Sequence, residues 1–334
     1  MQQIADYLLT KIPDNNNLVY FILVLIVTAG LITLPLIVTL IFAFTKEKLS
    51  QKSSVLLYAF ICGFFITMAL FGFLKESLEV TSLGAGKALY SKGQIYGFNI
   101  LIVGSGLIGG LLFSYTVRTL IRLASKRNIA KDHEAAVFLH THDIAHDHSE
   151  HNHNKIAPDE LDFHKKESES NPSYKLVAIL LLLIHRIPEG LLIGYYISNW
   201  VSGTQNNFNS LELVFFLSAI LHLIPEQILF YYRQREMGWS RAKSIAVSTA
   251  CLLLFLPAIY IGVYIGGSLN NAWWFNGLIY AFMGGTFLFT SIVEFFPEFY
   301  HSHHNKKLFR WTLILFMIGI IIAAIILSIH SHTH

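Results

Sequence analysis

Two copies of the pattern H-x-I-P-E lie inside long apolar runs of this chain and carry residue types that bind metal ions. The first copy contains His185 and Glu189, and the second contains His222 and Glu226. Residues four apart on a helix are separated by about 40° around its axis, so each histidine points to the same side as its glutamate. Two such helices facing each other would present two imidazoles and two carboxylates. That ligand set suits a divalent transition ion such as Zn²⁺, Fe²⁺ or Mn²⁺.

A proline precedes the glutamate in each copy. Pro188 and Pro225 have no backbone N–H, so they release the carbonyls of Ile184 and Leu221 from their helical hydrogen bonds. Freed carbonyls at membrane depth need protein, water or an ion as a partner. The prolines therefore favour an ion-binding role for both motifs.

A purely structural role is the alternative. Arg186 and Glu189 are three residues apart and can form an ion pair within one helix, while the histidines bond across the bundle. Each ionisable group in the centre of a bilayer costs roughly 3 kcal/mol on insertion scales. Because two helices repeat the costly pattern, we favour the functional interpretation.

The elements that must position these motifs are membrane helices. The chain has 334 residues, 54% hydrophobic and 13% charged, with a mean hydropathy of +0.52, which is too apolar for a soluble core of this size. We predict an all-α polytopic membrane protein, a single transmembrane transporter domain over residues 1–334. Eight runs approach the roughly 20 residues that cross a bilayer: 19–44, 54–74, 98–121, 174–198, 211–232, 245–268, 276–298 and 309–329. Glycine pairs at four-residue spacing favour close helix packing: Gly106/Gly110, Gly190/Gly194 and Gly262/Gly266.

Lysine and arginine mark alternate loops as cytoplasmic. They concentrate in loops 45–53, 122–173, 233–244 and 299–308, and loops on the other side carry few or none. We therefore expect both termini outside, in the plasma membrane or inner cell membrane. The net charge of +3 is scattered, with no basic face for nucleic acid. The expected partners are a divalent metal ion and the lipid bilayer, and a homodimer is left open.

The loop 122–173 is rich in charge and histidine and has almost no aromatic residues, so we expect it not to fold alone. Its histidines alternate with Asp and Glu at spacings that allow loose metal chelation on the cytoplasmic side. The alternative is a solvated low-complexity loop. The candidate chelating residues are His140, His142, His146, His148, His151 and His153.

Four further polar residues are candidates for the pathway of the ion. Ser218 lies one turn before the histidine of the second motif, and Gln227 directly follows that motif. Glu294 and Glu298 lie four apart near the cytoplasmic end of the seventh run, where they are candidates for an exit path. For these two glutamates, a packing ion pair with a nearby Lys or Arg is an equally good interpretation.

The motifs resemble those of the ZIP (Zrt/Irt-like) divalent metal transporters. His185-x-x-Pro188-Glu189-Gly190 is similar to the fourth-span signature of that family, and the second motif is similar to its fifth-span signature. The run GGTFLFTSIVEFFPEF also resembles the seventh ZIP span. The resemblance implies eight spans, outward termini and a variable, often histidine-rich loop between the third and fourth spans. It further implies that the two histidines and two glutamates of the motifs are ligands of the primary transport site.

The chain departs from the family at positions that matter. Many members have Asn where this chain has Arg186, and a polar or acidic residue where it has Leu223, and these build a second adjacent metal site. We therefore predict a single metal site, with Arg186 near Glu189 in place of the second cation, keeping the carboxylates ionised. In the second span, Glu76 and Glu79 are expected at a solvated helix end with at most a weak role at the outer mouth.

The resemblance and the orientation of the spans together predict import of a divalent metal ion into the cytoplasm. Two other functions compete with this prediction. A di-iron membrane enzyme needs H-x3-H and H-x2-H-H clusters, and HSHH at 301 misses that spacing. An intramembrane zinc protease needs HExxH, and HEAAV at 133 fails it. We therefore expect no enzyme and no organic cofactor, with Zn²⁺ as the first choice of transported ion. Efflux through the same ligands is the second alternative, because metal gradients set the direction in a facilitator.

Overall fold

The computed structural model describes residues 2–13, 15–45, 49–129, 185–202, 209–236, 238–269, 272–300, 302 and 305–328, and every regular element in these ranges is helical. The all-α class is therefore confirmed for the described chain. The helices are α1 Gln2–Lys11, α2 Asn16–Thr45, α3 Gln51–Thr67, α4 Lys75–Lys87, α5 Lys92–Phe98, α6 Gly104–Ile129, α7 Arg186–Ser202, α8 Asn209–Glu236, α9 Arg241–Leu253, α10 Phe255–Leu269, α11 Trp273–Phe289, α12 Phe296–Tyr300 and α13 Lys306–Ser328. Three π-helical segments join α3 to α4, α5 to α6 and α11 to α12; they are Met68–Leu74, Asn99–Val103 and Thr290–Phe295.

Six helical stretches of the described chain are long and apolar enough to cross a membrane, and each coincides with a predicted run. They are Asn16–Thr45, Lys52–Lys87, Lys92–Leu120, Arg241–Gly266, Trp273–Tyr300 and Lys306–Ser328. The remaining two predicted runs correspond to α7 and α8, which carry the two motifs. Residues 174–184 of the fourth run lie outside the described residues, so the number of eight spans stays a prediction.

Two helices extend further than the hydropathy of the sequence indicated. The second span continues through the π-helical segment into α4, because Glu76, Ser77 and Thr81 are buried inside the bundle instead of facing solvent. The expectation of a solvated helix end is therefore wrong for Glu76. At the third span, α6 continues to Ile129, so residues 122–129 of the predicted loop are helical.

The helices form two groups, and both motifs lie on helices of the first group. In the first helix group, α7 packs along α10, and α8 packs against α2 and α9. In the second helix group, α11 packs against α6 and α4, and α3 packs along α13. Contacts between the groups are fewer and run mainly from α8 to α3 and α13, with some from α7 to α11. The motifs therefore lie on helices that border the interface between the two groups.

Glycine allows α7 and α10 to approach at backbone distance. A methyl group at Gly194 would overlap the carbonyl oxygen of Ile259, and one at Gly262 would overlap the carbonyl oxygen of Leu191. Gly190 lies against Ala258 of the same helix pair. The close packing predicted from the four-residue glycine spacing is confirmed for these helices, and it holds α7 firmly against its own group.

Candidate metal centre

Helices α7 and α8 bring the two motifs face to face in the interior. His185 lies immediately before the first residue of α7, and the Glu189 N–H donates to its carbonyl at 3.2 Å. His222 and Glu226 lie near the middle of α8. The four side chains are at most 2% exposed. The expected pairing of the two motifs across one interface is therefore present in the structure.

The motifs interlock in a crossed arrangement. His185 Nε2 of the first motif lies 3.4 Å from Glu226 Oε2 of the second. His222 Nε2 of the second motif lies 3.4 Å from Glu189 Oε1 of the first. These distances are long for hydrogen bonds, and none of the four atoms makes one to the described residues. Each histidine therefore faces the carboxylate of the opposite helix without binding it tightly.

Three of the four residues form a compact group. His185, His222 and Glu226 each offer one ligand atom, and these atoms all lie within 4.8 Å of one another. Glu189 lies outside this group of three, although it contacts one of its members. The structure thus brings all four predicted ligands into one region and sets three of them as the tightest cluster.

The polar atoms in this region fit a cation. Within the described part of the chain, the buried side-chain atoms without a hydrogen-bond partner include His185 Nδ1 and Nε2, His222 Nε2, Glu226 Oε2 and both carboxylate oxygens of Glu189. A buried polar atom without a partner costs about 1 to 3 kcal/mol, and more if it is charged. Nitrogen and carboxylate oxygen are the ligand atoms that Zn²⁺ accepts beside thiolate. A divalent ion would satisfy several of these atoms at once.

The backbone of α8 orients His222 for such a role. Its Nδ1 lies 2.8 Å from the carbonyl oxygen of Ser218, and since a carbonyl only accepts, Nδ1 carries the proton of that hydrogen bond. The neutral ring then has its lone pair on Nε2, the atom that faces Glu189 and the centre. Ser218 was expected to extend a polar stripe, and it contributes here through its backbone carbonyl.

Arg186 binds the opposite motif, which differs from the sequence-based expectation. Its guanidinium donates to Glu226 Oε1 from Nη2 at 2.9 Å and from Nε at 3.2 Å. It also donates to the Cys251 carbonyl at 3.2 Å and packs against the Phe255 ring. Among the described residues, the ion pair of Arg186 is therefore with Glu226 and not with Glu189 of its own helix. The side chain leaves its own helix and crosses to α8, where a carboxylate and the carbonyl of α9 satisfy it.

Gln227 and Leu223 complete the surroundings of the arginine. Gln227 Oε1 accepts from Arg186 Nη2 at 3.3 Å, and its Nε2 donates to the Ser248 carbonyl at 2.8 Å. Leu223 is fully buried and belongs to the hydrophobic core. The position where the family often has a polar residue is thus filled with apolar packing in this chain.

Two phenylalanines of the second helix group cover the centre, and sequence reasoning missed both. The Phe65 ring packs edge-on against His185 and His222 at centroid distances of 5.2 and 5.0 Å. The Phe287 ring meets the same imidazoles at 5.7 and 5.8 Å. Among the 26 phenylalanines of the chain, nothing in the residue type distinguishes these two. They form an apolar layer over both imidazoles on the side of the second helix group.

The two acidic residues of the seventh span are bound by arginines. Glu294 Oε1 lies 3.0 Å from Arg118 Nε, and Glu298 Oε2 lies 3.2 Å from Arg233 Nη2. The packing interpretation of these residues therefore has direct support, and their part in an exit path stays a prediction. The histidine-rich tract from His140 to His153 lies outside the described residues.

Comparison with known proteins identifies the relatives of this chain. The family model described as ZIP Zinc transporter matches residues 16–327, which is nearly the whole chain. A comparison with curated proteins finds no match. The matched range includes both motifs, the six candidate spans and the seventh-span glutamates, so the family assignment covers every feature of the centre described above.

Proposed function

We propose, from the premise that the chain belongs to the ZIP zinc transporter family, that it carries Zn²⁺ into the cytoplasm through the centre between α7 and α8. Fe²⁺ and Mn²⁺ are alternative substrates. The ligands are His185, Glu189, His222 and Glu226. The family is one of membrane transporters for divalent metals, which agrees with the expectation that this chain is not an enzyme.

The observation that carries the proposal is the convergence of buried ligand atoms without partners. His185, His222 and Glu226 present theirs within 4.8 Å of one another, and both carboxylate oxygens of Glu189 are also without a hydrogen bond to described residues. A cluster built only for stability would pair these atoms with one another or with the backbone. Ionisable groups in the membrane interior are costly, so their retention favours a role in ion passage.

We infer that the centre holds one ion. Arg186 already occupies one side of Glu226 with two hydrogen bonds to Oε1, which leaves Oε2 facing the histidines. A second divalent ion on the Oε1 side would meet the positive guanidinium and be repelled. The arginine thus takes the place of a second metal ion and balances part of the carboxylate charge.

The ligand types suit transport as well as binding. Imidazole and carboxylate bind Zn²⁺ without the tight hold of thiolates, and release is as necessary as capture in a transporter. The two cysteines of the chain are buried and free, and neither belongs to the group of three ligand atoms. Because the centre borders the interface between the two helix groups, a shift of one group against the other would open it to alternate sides of the membrane.

The direction of transport rests on the charge of the loops. The lysine- and arginine-rich loops are proposed to face the cytoplasm, which puts both termini outside the cell. Uptake is then the direction that a metal gradient into the cytoplasm would drive. Loading metal either inside or outside right-side-out vesicles distinguishes uptake from efflux through the same site.

Uptake of Zn²⁺, Fe²⁺ and Mn²⁺ into proteoliposomes tests the proposal. We expect saturable uptake by the unchanged protein and loss of at least about 90% of it in His185→Ala, because removing a direct ligand weakens metal binding more than the 10-fold to 100-fold caused by loss of an outer-shell partner. Thr33→Ala is the matched control, since its hydroxyl donates to the Ala29 carbonyl of its own helix, on α2. Undiminished uptake in a folded His185→Ala variant would overturn the proposed site.

A further inference from the structure

A second buried carboxylate lies outside the metal centre. Glu76 is only 5% exposed, although it follows a predicted span and belongs to the first turn of α4. The π-helical segment Met68–Leu74 ends two residues before it, and such segments inside α-helices occur frequently at functional sites. A buried glutamate in a spanning helix is expensive to keep, so its surroundings indicate what it does.

A network of polar side chains on two other helices lies toward the same end of the bundle as Glu76. The Glu76 carboxylate lies within electrostatic reach of the Tyr280 hydroxyl on α11. The Tyr280 and Tyr196 hydroxyls are 2.9 Å apart, and the neighbouring Tyr195 hydroxyl donates to Asn276 Oδ1. We call Glu76, Tyr195, Tyr196, Asn276 and Tyr280 the Glu76 cluster. It joins α4 and α11 of the second helix group to α7 of the first.

Close packing of α4 on α11 sets the cluster in place. The Ser77 hydroxyl donates to the Gly277 carbonyl at 2.6 Å, and a methyl group at Gly277 would overlap Thr81 Oγ1. Gly277 lies one turn before Tyr280, so this contact brings the segment of α4 that contains Glu76 close to the turn of α11 that carries the tyrosine. The position of the carboxylate is therefore fixed by the backbones of two spans.

The Glu76 cluster lies in line with the metal centre. On α7, Tyr196 comes seven residues after Glu189, which is two turns further along the same face. On α11, Tyr280 comes seven residues before Phe287, the ring that packs on both histidines. Both steps lead toward the same end of the bundle, the end proposed to face outside.

An apolar layer separates the two polar regions. Phe73, three residues before Glu76, packs edge-on against Phe287 at a centroid distance of 5.1 Å. Phe287 in turn packs against Phe65 at 4.5 Å and covers the imidazoles. From the proposed outer end inward, the order is therefore the Glu76 cluster, the phenylalanines and then the histidines. Apolar constrictions of this kind act as gates in ion pathways.

We propose that the Glu76 cluster is an entry site that captures the divalent cation on the outer side of the phenylalanine layer and passes it to the centre between α7 and α8. This inference rests on the proposed transport function and its orientation. The cluster offers one carboxylate together with phenol and amide oxygens, a set of hard oxygen ligands without histidine. Such a site holds a partly hydrated divalent ion weakly, as an entry site must, and its negative charge concentrates cations at the gate.

Transport kinetics with Zn²⁺ in proteoliposomes test the entry site, using the full chain. In Glu76→Gln we expect the KM for Zn²⁺ to rise about tenfold with the maximal rate within about twofold of the unchanged protein, because charge focusing raises local cation concentration by about tenfold or more. The matched control is Glu79→Gln, one turn further along α4. Its carboxylate pairs with Lys75 at 3.4 Å and is 35% exposed, so we expect its KM to stay within about twofold.

Different failures have different meanings. If Glu76→Gln transports with unchanged KM, or loses maximal rate alone, the entry site is wrong and Glu76 has a structural role. If the variant shifts only the pH profile of uptake, the cluster carries protons, and the proposal that it binds the entering metal ion is wrong. If the unchanged protein shows no uptake, the transport function itself fails. Should Glu76→Gln not fold, Tyr280→Phe replaces it, with an expected KM rise of about threefold for loss of one hydroxyl and the same criterion for rejection.

Discussion

The two H-x-I-P-E motifs share four of their five residues and nevertheless make different contacts. The second glutamate, Glu226, receives two hydrogen bonds from Arg186 on one oxygen and faces His185 with the other. The first glutamate, Glu189, faces only a histidine and makes no hydrogen bond to the described residues through its side chain. A repeated sequence has therefore produced one carboxylate held in position and one that is not.

The single position at which the motifs differ explains this asymmetry. The residue after the histidine is Arg186 in the first motif and Leu223 in the second. The arginine crosses the interface and anchors Glu226, whereas the leucine packs in the core and leaves Glu189 without an equivalent anchor. The difference teaches that the predicted ligands are not equivalent. A fixed carboxylate is preorganised for binding, and a loosely held one is able to move as an ion enters or leaves.

Neutralising the two glutamates separately gives the largest expected contrast. We expect Glu189→Gln to lower Zn²⁺ affinity by about 100-fold or more, as for loss of a ligand, and Glu226→Gln to lower it further by about 10-fold, because Glu226 is a preorganised member of the three-residue group and Glu189 is not. Equilibrium binding of Zn²⁺ to the purified variants, with the full chain in each case, measures both.

The control for this contrast is a double variant that also removes the charge of Arg186, which Glu226→Gln alone would leave buried without a partner. Loss of one partner of a buried ion pair destabilises a protein by about 3 to 5 kcal/mol, since the other charge stays buried without compensation. The double variant Arg186→Leu with Glu226→Gln removes both charges and should fold while still binding Zn²⁺ weakly. Equal affinities for the Glu226→Gln and Glu189→Gln proteins would remove the asymmetry from the binding argument.

Replacing Arg186 by asparagine tests whether the arginine excludes a second ion. With the guanidinium gone, Glu226 Oε1 becomes available and Glu226 loses the positive charge that balances it. We expect Arg186→Asn to bind one more Zn²⁺ per chain than the unchanged protein and to become more sensitive to acid. Metal stoichiometry and uptake between pH 6 and 8 measure these changes, and Arg186→Lys is the control that keeps the charge. An Arg186→Asn protein with unchanged stoichiometry, affinity and pH profile would disprove this role.

The sequence predicted the elements of this centre better than its internal contacts. Four-residue spacing was enough to bring each histidine and its own glutamate into one region, because the Glu189 N–H bonds to the His185 carbonyl and the second motif lies within α8. It did not reveal that each histidine faces the glutamate of the opposite motif. It placed Arg186 wrongly, since a long side chain at an interface chooses its partner from the neighbouring helix, which no local spacing reveals. The covering rings of Phe65 and Phe287 were missed for the same reason.

Hydropathy also misjudged one region outside the centre. It ended the second span before Glu76, because a count of apolar residues treats a glutamate as exposed wherever it stands. In the structure, Glu76 is buried where α4 packs on α11, and the helix continues to Lys87. Polar residues that face other helices are thus the ones that a sequence count assigns to the wrong environment.

A smaller effect is expected from a change at Gln227, which links the Arg186 side chain to α9. Gln227 accepts from the arginine and donates to the Ser248 carbonyl, so it ties the guanidinium to α9. Gln227→Leu removes both bonds and leaves the arginine bound to Glu226 and the Cys251 carbonyl. We expect Zn²⁺ affinity to fall about threefold to tenfold, from the loss of one or two net hydrogen bonds. A change as large as that of Glu226→Gln would show that Gln227 itself contacts the ion.

The smallest effect should come from another arginine–glutamate contact of the bundle, between Arg233 and Glu298. It resembles the pair of Arg186 and Glu226 in chemistry, but its side chains are 15% and 24% exposed and its distance is 3.2 Å. A partly exposed pair contributes roughly 1 kcal/mol or less to stability. We therefore expect Glu298→Gln to lower thermal stability slightly and to leave the KM and maximal rate of Zn²⁺ uptake within about twofold. A large rise in KM with unchanged stability would instead place Glu298 on the exit path, and the contrast between a carboxylate that binds the ion and one that only packs would no longer hold.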